Sequence, residues 1–141
     1  MNKILSVIAG VAVSICSMVA MAQDCISPKY ARDALRKLYL EQQFPGMDEI
    51  AIRRKVAAKL GEDKAQKLLS PTNDVIACFM AGHQQEYCPK EKRGLRPADH
   101  YNLGLKIFLS PEYKDVITPT ETVFLEVQLN VWIQEAQCQD H

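Results

Sequence analysis

Apolar residues recur at helical spacing through most of this chain, separated by short polar breaks. Ala31, Ala34, Leu35, Leu38 and Gln42 outline a first helix from about residue 28 to 43, which Phe44-Pro45-Gly46 ends. Ile52, Val56, Ala57 and Leu60 lie on one face of a second, with Asp48 as its cap and Gly61 as its stop. Glu62 to Leu69 reads as a shorter helical piece. Asn73 or Asp74 then begins a fourth helix, with Val75, Ile76, Phe79 and Met80 on its apolar side and Cys78 within it. Arg96-Pro97 opens a fifth, running to about Leu109, where Tyr101, Leu105 and Phe108 share a face, and a short turn from Pro111 to Val116 follows.

One start signal recurs. Ser or Thr before Pro places a side-chain cap ahead of a residue whose missing N–H costs nothing at the first helical position. It occurs at Ser27-Pro28, Ser70-Pro71, Ser110-Pro111 and Thr118-Pro119. The last segment carries two conflicting patterns: Val123, Leu125, Val127, Leu129, Val131 and Ile133 alternate as on a half-buried strand, whereas Thr118-Pro119-Thr120-Glu121 has the spacing of a capping box. The cap and the lack of a convincing partner strand favour a helix with apolar residues on two sides, running through the core between other helices. The expected fold is all-α, a small disulfide-stabilised bundle of about five to six helices.

Residues 1–22 read as a cleaved signal peptide. Lys3 supplies the positive start, Ile4 to Val19 an apolar run too short for a comfortable membrane span, and Ala20-Met21-Ala22 the small-residue cleavage site. No stop-transfer basic cluster follows, so the expectation is an exported, soluble, periplasmic protein whose residues 23–141 form one domain. The chain has 17 basic and 17 acidic side chains, only Lys3 lying in the export segment. Such a balance gives no electrostatic reason to bind nucleic acid or an anionic membrane.

Export to an oxidising compartment makes Cys25, Cys78, Cys88 and Cys138 a disulfide framework. A helix continuing from Cys78 to about Gln85, at roughly 1.5 Å per residue, would hold Cys78 and Cys88 beyond the Cα reach of about 7 Å. Of the other two pairings, we prefer Cys25 to Cys78 with Cys88 to Cys138, each closing a loop worth roughly 4 kcal/mol in the chain-entropy treatment. Zinc is the rival use of Cys78, His83, Cys88, Cys138 and His141, but closely spaced Cys pairs are missing and Cys78 and His83 point apart on one helix. Catalysis finds little footing. Asp99 and His100 are adjacent rather than on one helical face, and no nucleophile elbow, glycine-rich phosphate loop or paired-carboxylate motif appears. Neither an enzyme nor a cofactor is expected.

From Cys78 onward the chain resembles the Rap/Tai-type immunity proteins, which guard bacteria against peptidoglycan amidases delivered by type VI secretion. The resemblance runs through Cys78-Phe79-Met80-Ala81-Gly82, then Tyr87-Cys88-Pro89, then Leu105-Lys106-Ile107-Phe108-Leu109-Ser110-Pro111-Glu112, and closes at Cys138. Its specificity lies in their order and spacing. Where the family has a Leu-Cys before the Gly-containing helix, Leu68-Leu69 is here followed by Ser70, so the resemblance would leave Cys25 to partner Cys78. It does not extend over Ile26 to Gly61.

The resemblance implies an all-α periplasmic protein that binds one secreted cell-wall hydrolase and blocks its active cleft, often as a homodimer. Such a role needs a rigid surface with a projecting loop and no catalytic group. Lys90, Glu91, Lys92 and Arg93, an exposed charged stretch beside Cys88, are the expected contact, with Tyr87 as an aromatic anchor; core packing is the expected job of Tyr101. Two other classes share this outline. A small periplasmic chaperone would bind many clients weakly, and a secreted inhibitor of a lysozyme or protease would bind one foreign enzyme tightly.

Overall fold

The computed structural model describes residues 33–80 and 85–139, except for the side chains of Gln85, Cys138 and Gln139. The signal segment, Cys25, the Ser27-Pro28 start, His83 and His141 fall outside the described residues, as does the side chain of Cys138. The described chain is all-α, with five helices and no strand.

Helix α1 covers residues 33–41 and widens to π-helix over Lys37–Glu41. Helix α2, Glu49–Leu60, starts where the Asp48 carboxylate accepts the Ile50 N–H at 2.9 Å, and ends at Gly61, whose φ of +95° is open to glycine at little cost. With that single residue as connector, helix α3, Glu62–Val75, folds back against α2. Helix α4 is Pro97–Phe108 and helix α5 Pro119–Gln139.

The shorter helical piece and the fourth helix of the sequence reading are one helix, α3, and Ser70-Pro71 is not a start. Pro71 sits inside α3. Its missing N–H would have bonded the carbonyl of Lys67, and the Ser70 hydroxyl donates to that carbonyl instead, at 2.8 Å. The same Ser-Pro chemistry that opens a helix thus carries one through a proline. At Thr118-Pro119 the expected capping box is present: the Glu121 N–H donates to Thr118 Oγ1 at 3.1 Å and the Thr118 N–H to Glu121 Oε1 at 2.8 Å. Glu121 also pairs with Lys55, tying the start of α5 to α2.

The conflict in the last segment resolves as a helix buried on most sides. Each second residue of a helix advances by about 200°, so alternating apolar positions fall in two bands on opposite sides of the cylinder. Phe124, Leu125, Leu129, Ile133 and Ala136 enter the main core with Ile52 and Val56 of α2, Leu68 and Val75 of α3, and Phe108 of α4. Val127 and Val131 pack in a smaller cluster against Leu35 and Tyr39 of α1. Gly104 lets α4 approach closely, because a Cβ there would overlap Leu129 Cδ2 and lie 3.2 Å from Pro71 Cβ. A 3-10 turn, Pro111–Tyr113, lays the fully buried Tyr113 ring over α3, where its hydroxyl donates to the Lys64 carbonyl at 2.8 Å.

Candidate partner-binding loop

The C-terminal end of α3 widens into a π-turn, Ile76–Met80, which carries Cys78. The chain returns through a 3-10 turn, Gln85–Tyr87, and Cys88 forms a disulfide with Cys78 at a Cα separation of 4.4 Å. This corrects the preferred pairing of Cys25 with Cys78 and Cys88 with Cys138. The geometric objection assumed a straight α-helix to Gln85, whereas the backbone leaves α-geometry at Ile76 and is back in a new turn by Gln85. Cys88 is buried and Cys78 half-buried.

Beyond the bridge the expected contact residues form a compact turn. Lys90–Lys92 is a single 3-10 turn, in which the Lys92 N–H donates to the Pro89 carbonyl at 2.8 Å. The Arg93 N–H returns to Lys90 at 3.3 Å, and Gly94 reverses the chain at φ +81°. Two of the charges serve the loop itself. Arg93 Nε donates to the Cys88 carbonyl at 3.0 Å, and Lys92, half-buried, approaches Asp74 of α3 at 3.9 Å. Burial raises the Asp74 carboxyl above its ordinary range; Lys92 pulls it down and Glu91 pushes it up. Lys90 and Glu91 are exposed, and Tyr87, next to the buried Cys88, is 60% exposed.

Beneath the loop lies His100 of α4, 3% exposed, its ring edge-on to Phe79 with centroids 5.1 Å apart and its Nε2 without a hydrogen-bond partner. A cavity of about 170 Å³ is lined by it together with Cys78, Cys88 and Lys92. Burial, then Lys92, holds the imidazole below its usual pKa, with Asp99 acting the other way. Asp99 itself turns to the helix start, where its carboxylate accepts the Arg96 N–H at 3.0 Å. The two neighbours therefore do unrelated work. Tyr101 is half-buried at the core edge, its hydroxyl donating to Glu126 at 2.9 Å.

The sequence reading missed the Asp74–Lys92 pair and the burial of His100. The first joins residues far apart in the chain with no local pattern, and the second places an imidazole where the face rule expects Tyr101 or Phe108 alone. Chemically the loop is a covalently anchored edge that presents an aromatic ring, cations and a carboxylate. Among the described residues no group of His, Cys, Asp and Glu is placed to hold a metal ion, and no helix is long and apolar enough to cross a membrane. No family model, curated protein or solved structure matches this chain.

Proposed function

We propose that this chain is a periplasmic immunity protein that neutralises a cognate peptidoglycan-cleaving effector of type VI secretion by filling its active cleft with the loop Tyr87–Arg93. The observation that carries the reading is the exposed Tyr87 ring set directly beside the buried Cys88, which is bridged to Cys78. A loop already fixed by a covalent bond and by Arg93 loses little further entropy when it enters a cleft. Tyr87 is the anchoring aromatic, Lys90, Glu91 and Arg93 supply polar contacts, and Lys92 holds the turn against Asp74. The resemblance over Cys78 to Cys138 supplies the class of partner.

The test is a pull-down from periplasmic extract, followed by an assay of peptidoglycan hydrolysis by the captured protein with and without this chain. Inhibition by the wild type is expected. Tyr87→Ala should weaken it by about 2 kcal/mol, roughly thirtyfold in inhibition constant, with the fold intact by circular dichroism. Recovery of many unrelated proteins without hydrolase inhibition would favour a chaperone and sink the proposal.

A further inference from the structure

With Cys78 and Cys88 joined, the sequence has two further cysteines outside the expected export segment: Cys25, and Cys138 in the last turn of α5. The packing of α1 on α5 relates their positions. Phe44, in the turn after α1, meets the Phe124 ring edge-on at 5.6 Å; eight residues before Phe44, the Arg36 guanidinium lies 4.3 Å from the ring centroid of Trp132, eight residues after Phe124. The two segments are therefore antiparallel and in step. Arg36 also approaches the fully buried Glu135 carboxylate at 3.6 Å, and Leu35 and Tyr39 pack with Val127 and Val131. Positions 127, 131, 135 and 138 follow the spacing of one helix face, so position 138 is the next step on the stripe that meets α1.

Chain length agrees with this register. From Trp132 to Cys138 α5 advances about 9 Å. On the other side, the Ser27-Pro28 signal allows a helix back to Pro28, eight residues before Arg36, which is about 12 Å along the same axis and just past position 138. Ser27 and Ile26, spanning up to about 3.5 Å each, then give Cys25 the slack to come within the Cα separation of about 6 Å that a bridge needs.

We infer that Cys25 and Cys138 form a second disulfide, a clasp that fastens the start of the domain to the end of α5 and keeps α1 seated over Glu135. One thiolate attacks the disulfide of a dithiol oxidase, and the second displaces the oxidase from the mixed disulfide. The two thiols lose two protons and two electrons, and the oxidase leaves as a dithiol. The Cys78–Cys88 bridge of the same chain requires an oxidant of the same class. The clasp has a purpose in the packing, because α1 sits in a small cluster apart from the main core, and lifting it would strip the buried Glu135 carboxylate of Arg36. The inference stands on oxidising surroundings and on the α1–α5 register, not on the loop beyond Cys88, so either can fail without the other.

The experiment takes the full chain, expressed with export to the periplasm, blocks its thiols by alkylation and digests it with trypsin without reduction. Cleavage after lysine and arginine leaves Cys78 and Cys88 together in residues 68–90, Cys25 in the piece that ends at Lys29, and Cys138 in residues 115–141. Mass spectrometry should find the last two pieces as one joined species that separates on reduction. The double variant Cys25→Ser with Cys138→Ser opens a loop of more than a hundred residues and should unfold roughly 15 °C lower in Tm. Alkylated Cys25 or Cys138 in the unreduced digest, either one joined to Cys78 or Cys88, a link between two copies of the chain, or an unaltered Tm in the double variant would overturn the proposal.

Discussion

Replacing Cys88 by Ser releases a specific thiol, and its identity separates the bridge found here from the alternatives. With Cys78 joined to Cys88 across ten residues of sequence, the chain-entropy relation gives a contribution of about 2.7 kcal/mol at 25 °C. Bridges from Cys25 or to Cys138 would close loops of roughly fifty residues and contribute about 4 kcal/mol each. The double variant Cys78→Ala with Cys88→Ala should therefore lose close to 3 kcal/mol in urea unfolding. For a domain of this size that is a fall of roughly 10 °C in Tm. In Cys88→Ser, alkylation and peptide mass mapping should find Cys78 newly reactive. A blocked Cys78 with a labelled Cys138, or a double variant as stable as the wild type, would refute the assignment.

Gly104→Ala gains up to about 1 kcal/mol in helix propensity, but its Cβ would overlap Leu129 in the packed core, at an overpacking cost of about 1–3 kcal/mol. A net loss of about 1 kcal/mol is expected, and a raised urea midpoint would contradict the close α4–α5 approach. His100 has a depressed pKa in the folded chain, so the unfolded chain takes up the proton first. Its contribution is complete above the unfolded value of about 6.5 and is lost as pH falls through the lower folded value. Urea midpoints should fall between pH 7.5 and pH 5, and less so in His100→Gln; equal slopes in the two proteins would remove His100 as the cause. Asp74, with its raised pKa, acts in the opposite sense at lower pH and is common to both proteins. Thr118→Ala removes the acceptor for the Glu121 N–H and should cost about 1 kcal/mol, measured by thermal unfolding; no change would mean that the capping box does not hold α5 in place.

The helices were legible where local chemistry decides them. Asp48 and Gly61 bound α2, Arg96-Pro97 opens α4, and the Thr118–Glu121 box outweighed a strand-like alternation that a two-sided helix produces equally well. Misreadings arose where a signal has two physical uses. Ser70-Pro71 resembles a start, yet a hydroxyl that can cap a helix can also satisfy the carbonyl that an internal proline abandons. The disulfide was misjudged because a π-turn is not written in apolar spacing, and a few widened residues are enough to change which thiols meet. Of the loop, the exposed ring and charges were visible in sequence, while the turning of Lys92 to Asp74 and of Arg93 to a carbonyl depends on contacts made after folding.

Helix α5 also governs when this protein acquires its shape. Ile52 and Val56 meet Phe124, Leu125 and Leu129 across some seventy residues of sequence, and α1 has Val127 and Val131 for its inner neighbours. Until that last helix is available, α2, α3 and α4 can pack on one another, but both apolar clusters lack their central member. A chain whose last 21 residues are not yet free to fold would thus keep both clusters open. Only on release would the final helix slide between its neighbours and shut the interior.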